Sequence, residues 1–173
     1  MLVRYTRQLA TAALIVAAGL GMGACSAHPG AAVITNNGNY SIAEVDEAVS
    51  QIVAVTAGQS SIGAYEVRAS LMNEPQLVAV ADSVGISMTD EQVDQAIERI
   101  ATQTGAQVPV IGRGTRATVR SLLLNQQLSQ FAQVNPAAVP AMNEAFEQAR
   151  DAANAQINPR FSQPTLGGGQ APT

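Results

Sequence analysis

At 173 residues the chain is long enough for one domain with a hydrophobic core of its own. Its nine basic residues are all arginine and are outnumbered by 13 acids, for a formal charge of −4, which argues against nucleic acid and against electrostatic adsorption to anionic lipid. A single cysteine, Cys25, excludes an intramolecular disulfide, and with His28 as the lone histidine it cannot supply the three or four ligands of a His/Cys metal site.

Residues 1–24 stand apart. Arg4 and Arg7 make a positive start, and Leu9 to Ala24 carries no charge. That run is shorter than the roughly 20 residues a membrane-spanning helix needs, and it ends in small residues, so it reads as an export signal. Cys25 lies three places before His28, but Pro29-Gly30 follow and nothing rigid holds a nucleophile to its base there. Met22-Gly23-Ala24-Cys25 instead resembles the bacterial lipobox, with Met22 where leucine is usual. The resemblance implies that the Cys25 thiol receives a diacylglycerol and becomes the new N-terminus after cleavage. It also implies that the protein is exported and lipid-anchored to the outer face of the cytoplasmic membrane. His28 is then a tether residue without a role.

The expected organisation is a signal peptide (1–24), a lipidated tether (25–31), a helical domain (32–161) and a disordered Gly/Pro-rich tail (162–173). Val33, Ile34 and Thr35 favour a strand, and Asn37-Gly38 marks a tight hairpin. Ser41 and Glu44 have capping-box spacing. The helix they open shows an apolar stripe of Ile42, Val45, Val49, Ile52 and Val53, leaves Asp46, Glu47 and Gln51 on other faces, and ends near Gly58.

A second helical stretch runs from about Ile62 to Val84, where Pro75 implies a kink or a split into two helices with the proline in the first turn of the second. Gly85 stops it. Thr89 caps a third helix with Gln92 at the capping-box position and Gly105 at its end. AQVPVIGRG is a loop by its Pro and Gly content, and helices follow over about Thr115–Gln133 and Pro140–Asn154, separated at Asn135-Pro136. The fold class expected is mainly α, with five to six helices and a short N-terminal β-hairpin.

Two stretches together resemble a family. AAVITNNGNYSIAEVDEAV is similar to the opening of SurA-type and PrsA-type foldases, and ADSVGISMTDEQVDQAIERI to the later signature of the same N-terminal region, an arrangement shared with the chaperone domain of trigger factor. INPRF (Ile157 to Phe161) resembles the segment that ends actinobacterial lipoproteins with a SurA-type domain, although here Ser162-Gln163 and a Gly-rich tail follow it. The resemblance spans roughly residues 31–161. It implies a SurA N-terminal-like helical arrangement that binds unfolded or extended polypeptide in a hollow between helices. It further implies that INPRF adds a strand beside Val33 to Thr35. The chain has no room for the inserted parvulin-type domain of many family members, and its sole histidine lies in the tether, so prolyl isomerase catalysis is not expected.

Gly112-Arg113-Gly114-Thr115-Arg116 and the following Arg120 form the one basic cluster. Arg113, Arg116 and Arg120 are candidate anion-binding residues, since two glycines at a helix start can present backbone amides. The alternative, which the absence of phosphate-loop spacing favours, is a loop whose arginines pair with the chain's acids. Met72, Met88, Phe131, Met142 and Phe146 are candidate peptide-binding residues because methionine adapts to varied shapes, although most apolar residues at helical spacing are core. Asp90, Glu91, Asp94 and Glu98 read as a solvated helix face. No nucleophile–base set or metal site emerges, so no catalytic residue and no cofactor is assigned.

The function expected is a membrane-anchored extracytoplasmic lipoprotein that binds non-native or exported polypeptides. The alternative is an adaptor lipoprotein docking one specific cell-envelope partner.

Overall fold

A computed structural model describes residues 30–36, 38–153 and 155–157. The signal, Cys25, His28, residues 158–161 of the INPRF segment and the tail fall outside the described residues. From Ala31 on, the described elements belong to one compact unit. The chain is mainly helical, as expected. Among the described residues it has five α-helices and a three-stranded antiparallel sheet.

Strand β1 (Ala31–Thr35) is central in the order β2-β1-β3. It pairs with β2 (Gly38–Ser41) in a register that sets Val33 opposite Tyr40 and Thr35 opposite Gly38. Thr35 Oγ1 donates to the Gly38 carbonyl at 2.7 Å and closes the hairpin. On its other edge β1 pairs with β3 (Gln156–Ile157), Val33 facing Ile157 and Ile34 facing Gln156. Of the INPRF segment, Ile157 therefore lies where the resemblance put a strand, and Gln156 joins it from upstream. The last described strand thus returns to the first, β1, whose Val33 is fully buried.

Helix α1 (Ile42–Val55) starts at a complete capping box. Ser41 Oγ accepts from the Glu44 amide at 3.2 Å, and the Glu44 carboxylate accepts from the Ser41 amide at 2.8 Å. Helix α3 (Asp90–Thr104) repeats the device with Thr89 and Gln92. It ends at Gly105, whose φ of +72° is open to glycine without strain, and the Ala106 amide reaches back to the Ala101 carbonyl.

Helix α2 (Ala64–Ser83) decides between the two alternatives at Pro75: it is a single helix with the proline inside it, not two. The missing proline amide removes one backbone bond. Packing compensates, because the residues around it, Leu71, Glu74 and Gln76, are all buried. Helix α4 (Arg113–Val134) begins two residues earlier than expected, with Gly112 as its cap. A short 3₁₀ turn, Pro136–Ala138, leads into α5 (Val139–Ala153).

The core has two parts. The larger gathers Val33, Val45, Ile52, Leu71 and Ile97 from β1, α1, α2 and α3. The smaller, around Val80, Leu124 and Leu128, lies between α2 and α4 and is covered by Met142, Ala145 and Phe146 of α5. In α1 the buried face runs through Val45, Ala48, Gln51, Ile52 and Val55. Gln51 is therefore inside, where the apolar pattern placed it on another face.

Candidate functional site

The arginine cluster lies on one side of α4, and every member faces a carboxylate of another helix. Arg113 Nε donates to Glu44 Oε1 of α1 at 2.6 Å, and its guanidinium also bonds the Asn39 carbonyl and sits 4.6 Å from the Tyr40 ring centre. Arg116 grips Asp94 of α3 with two bonds, at 2.7 and 3.1 Å. Arg120 donates to Glu74 of α2 at 2.8 Å and also to Asp90 of α3.

These pairs set the local electrostatics. The Arg113 guanidinium hydrogen-bonded to Glu44 holds its carboxyl at about 2, with help from the Ser41 amide and hydroxyl. Burial works against the Arg120 charge, but Glu74 and Asp90 together outweigh it and raise its pKa. Tyr40 is raised chiefly by burial, with the Glu74 charge adding to it.

The amino end of α4 is likewise taken by the chain itself. A Cβ at Gly112 would stand 3.1 Å from the Glu47 carboxylate, and one at Gly114 would stand 3.1 Å from the Glu44 carbonyl oxygen. The two glycines of Gly-Arg-Gly allow α4 to cross close to α1. They do not leave an open phosphate cradle. Of the two readings of Arg113, Arg116 and Arg120, the favoured one holds: they pair with the chain's acids, as interhelical ties, rather than standing ready for an anion. Asp90 and Asp94, expected on a solvated face, are the other ends of two of those ties. The physical reason is that the α3 face carrying them lies against α4, and a neighbouring guanidinium satisfies a carboxylate there at little desolvation cost.

A groove of about 760 Å³ runs between α3 and α4. Met88, Ala96 and Leu123 supply its apolar base, and Gln92, Gln95, Gln103 and Gln127 its exposed amide rim, with Glu98 and Arg99 as its charged groups. Ala96, a small residue of its lining, belongs to the buried stripe of α3 with Val93 and Ile97. A second cleft, about 240 Å³, lies where α5 crosses α2 and α4, lined by Leu77, Val80, Leu128, Met142 and Phe146.

The five peptide-binding candidates are not brought together. Met88 lines the α3–α4 groove, while Met142 and Phe146 line the α5 cleft. Met72 packs against the main core, and Phe131 is half-buried and lines neither hollow. The glutamine rim was not singled out from sequence. Gln92, Gln95 and Gln103 share one α3 face at helical spacing, which was a readable signal, but Gln127 joins them only through the packing of α4.

Among the described residues no helix is long and apolar enough to cross a membrane, and no group of three or more His, Cys, Asp or Glu side chains is placed to hold a metal ion. No protein-family model, no curated protein and no solved structure matches the chain.

Proposed function

We propose that the protein is a membrane-anchored extracytoplasmic lipoprotein whose helical domain binds unfolded or extended polypeptide, with no catalytic step. The observation that carries the binding reading is the α3–α4 groove, an open hollow of about 760 Å³ with an apolar base and a hydrogen-bonding rim. A groove of this kind fits a polymer with alternating polar main chain and mixed side chains better than a compact metabolite, for which an enclosed apolar pocket with a few convergent polar groups is the usual host. The lipobox-like Met22 to Cys25 supports the anchor, and the resemblance of the two helical stretches to SurA-type foldases supports the chaperone role.

The test has two arms. Mass spectrometry of membrane-extracted protein is expected to find a diacylated Cys25 at the N-terminus, and Cys25→Ala to leave the chain unprocessed or released. The purified protein is expected to slow the aggregation of several unrelated unfolded proteins. Recovery of one stoichiometric envelope partner, with no effect on aggregation, would replace the chaperone reading with that of an adaptor.

A further inference from the structure

We propose that α5 and β3 form a hinged cover over the smaller core. The cover opens as one unit about the 3₁₀ turn Pro136–Ala138, while β1, β2 and α1–α4 stay folded.

The seating of α5 sets it apart from the rest of the domain. Each of the other four helices buries at least four residues, whereas among residues 139–152 none is buried. Met142, Ala145 and Phe146 are half-buried against Val80, Ala81, Leu124 and Leu128, and the cleft of about 240 Å³ lies along that contact. The smaller core is thus covered without being closely packed on its α5 side. Polar ties show the same contrast. Helices α1, α2 and α3 are each joined to α4 by an arginine pair. On α5, Arg150 pairs with Glu147 and Asp151, and Gln148 bonds Glu144, all within the one helix. Those bonds hold α5 to itself and not to the domain.

Its two ends suit a hinge and a latch. At the front, α4 stops at Asn135, and residues 133–137 are all exposed, so turning there disturbs little packing. At the far end the ties are small. Asn36 Nδ2 donates to the Ala152 carbonyl at 3.4 Å, a long bond, and β3 pairs two residues with β1. Strand β1 keeps its pairing with β2 when β3 leaves, and among the described residues none of α5 or β3 belongs to the larger core. The rest of the domain therefore keeps its own support. Opening uncovers Val80, Ala81, Leu124 and Leu128, each at most 5% exposed when closed. In the closed state α5 is itself the occupant of that apolar surface, and a second state in which the surface is bare lies close in free energy.

Native-state hydrogen exchange of the full-length protein in detergent, followed by mass spectrometry through a denaturant series, tests the cover. A 15-residue helix is marginal in water by itself, so the amides of α5 exchange once it leaves its bed. They and those of β3 are expected to exchange as one set, at least about tenfold faster than the centres of α2 and α4. Met142→Ala, which widens the cleft, is expected to speed that set about tenfold further and to leave the centres of α1 and α3 unchanged. Equal protection of α5 and α4 overturns the inference, because the domain then opens only as a whole. Exchange that advances along α5 from one end while β3 stays protected overturns it too, since that is fraying and not a hinged cover. A Met142→Ala effect spread evenly over all the helices does the same.

Discussion

Gln51 Oε1 accepts a 2.6 Å hydrogen bond from Thr115 Oγ1, and both residues are buried, one on α1 and the other in the first turn of α4. The same oxygen accepts from the Gly112 amide at 3.0 Å, and the Gln51 amide nitrogen donates to Glu47 and to the Val110 carbonyl. One side chain therefore fixes the end of the 105–112 loop and the start of α4. Replacing Gln51 with leucine strands the Thr115 hydroxyl and a loop carbonyl, and is expected to destabilise the protein by about 2–4 kcal/mol. Thr115→Val is expected to cost about 1–2 kcal/mol. Because the two share one bond, the double variant should lose less than the sum, by about 1 kcal/mol. Urea unfolding of the four proteins measures all three quantities.

Glu44 links acid stability to the amino end of α4. Its folded-state value of about 2 lies below the ordinary 4.5 because the Arg113 guanidinium and the Ser41 groups favour the charged form. A depressed carboxyl stabilises the fold above its unfolded value and loses that contribution as pH falls through its folded one. Part of the stability should therefore disappear between about pH 4.5 and pH 2. Glu44→Gln is expected to lower stability at neutral pH and to flatten the profile across that window. Denaturant unfolding at stepped pH values checks both, and an unchanged slope would show that the pair contributes nothing to it.

The Arg120–Glu74 pair is more enclosed, the side chains retaining 16% and 12% of their exposure, and Arg120 Nε is buried with no partner among the described residues. Removing one partner leaves the other charge without its counter-ion in a poor solvent for ions. Arg120→Met is expected to lower stability by about 3 kcal/mol. Arg120→Met combined with Glu74→Leu should recover most of that loss, since an apolar pair of similar volume needs no desolvation. Thermal unfolding distinguishes the outcomes: a double variant as weak as the single one would mean that Arg120 stabilises through Asp90 instead.

Local signals carried much of the architecture. The capping boxes at Ser41 and Thr89, the stop at Gly105 and the break at Asn135-Pro136 are short-range chemistry, and each appears where the residues placed it. Pro75 left a single helix and a split one both open because its cost to a helix is local whereas its compensation, burial of Leu71, Glu74 and Gln76 against other elements, is not. Gln51 was misplaced for a similar reason: a polar residue in an amphipathic helix reads as solvent-facing unless its distant partners are known, and Gly112 and Thr115 lie about 60 residues away. The arginine cluster and its pairing with the chain's own acids were legible, but which acids was not. The carboxylates that neutralise it come from α1, α2 and α3 and meet it only once those helices pack around α4.

Gly112 and Gly114 separate close packing from loop flexibility as the reason for glycine. In a helix alanine is ordinarily the better residue, by about 1 kcal/mol, so on propensity alone Gly114→Ala would stabilise α4. A Cβ at that position, however, meets the Glu44 backbone oxygen at 3.1 Å, an atom that cannot move without shifting α1. At Gly112 the obstructing group is the end of the Glu47 side chain, which can rotate away. Gly114→Ala is therefore expected to destabilise by about 1–3 kcal/mol despite its propensity gain, and Gly112→Ala by clearly less. Coupling each change to Glu47→Ala sharpens the comparison. That second change should rescue Gly112→Ala and leave Gly114→Ala where it was. Equal penalties for the two alanines, or rescue of both, would mean that the α1–α4 crossing is not what demands glycine at residue 114.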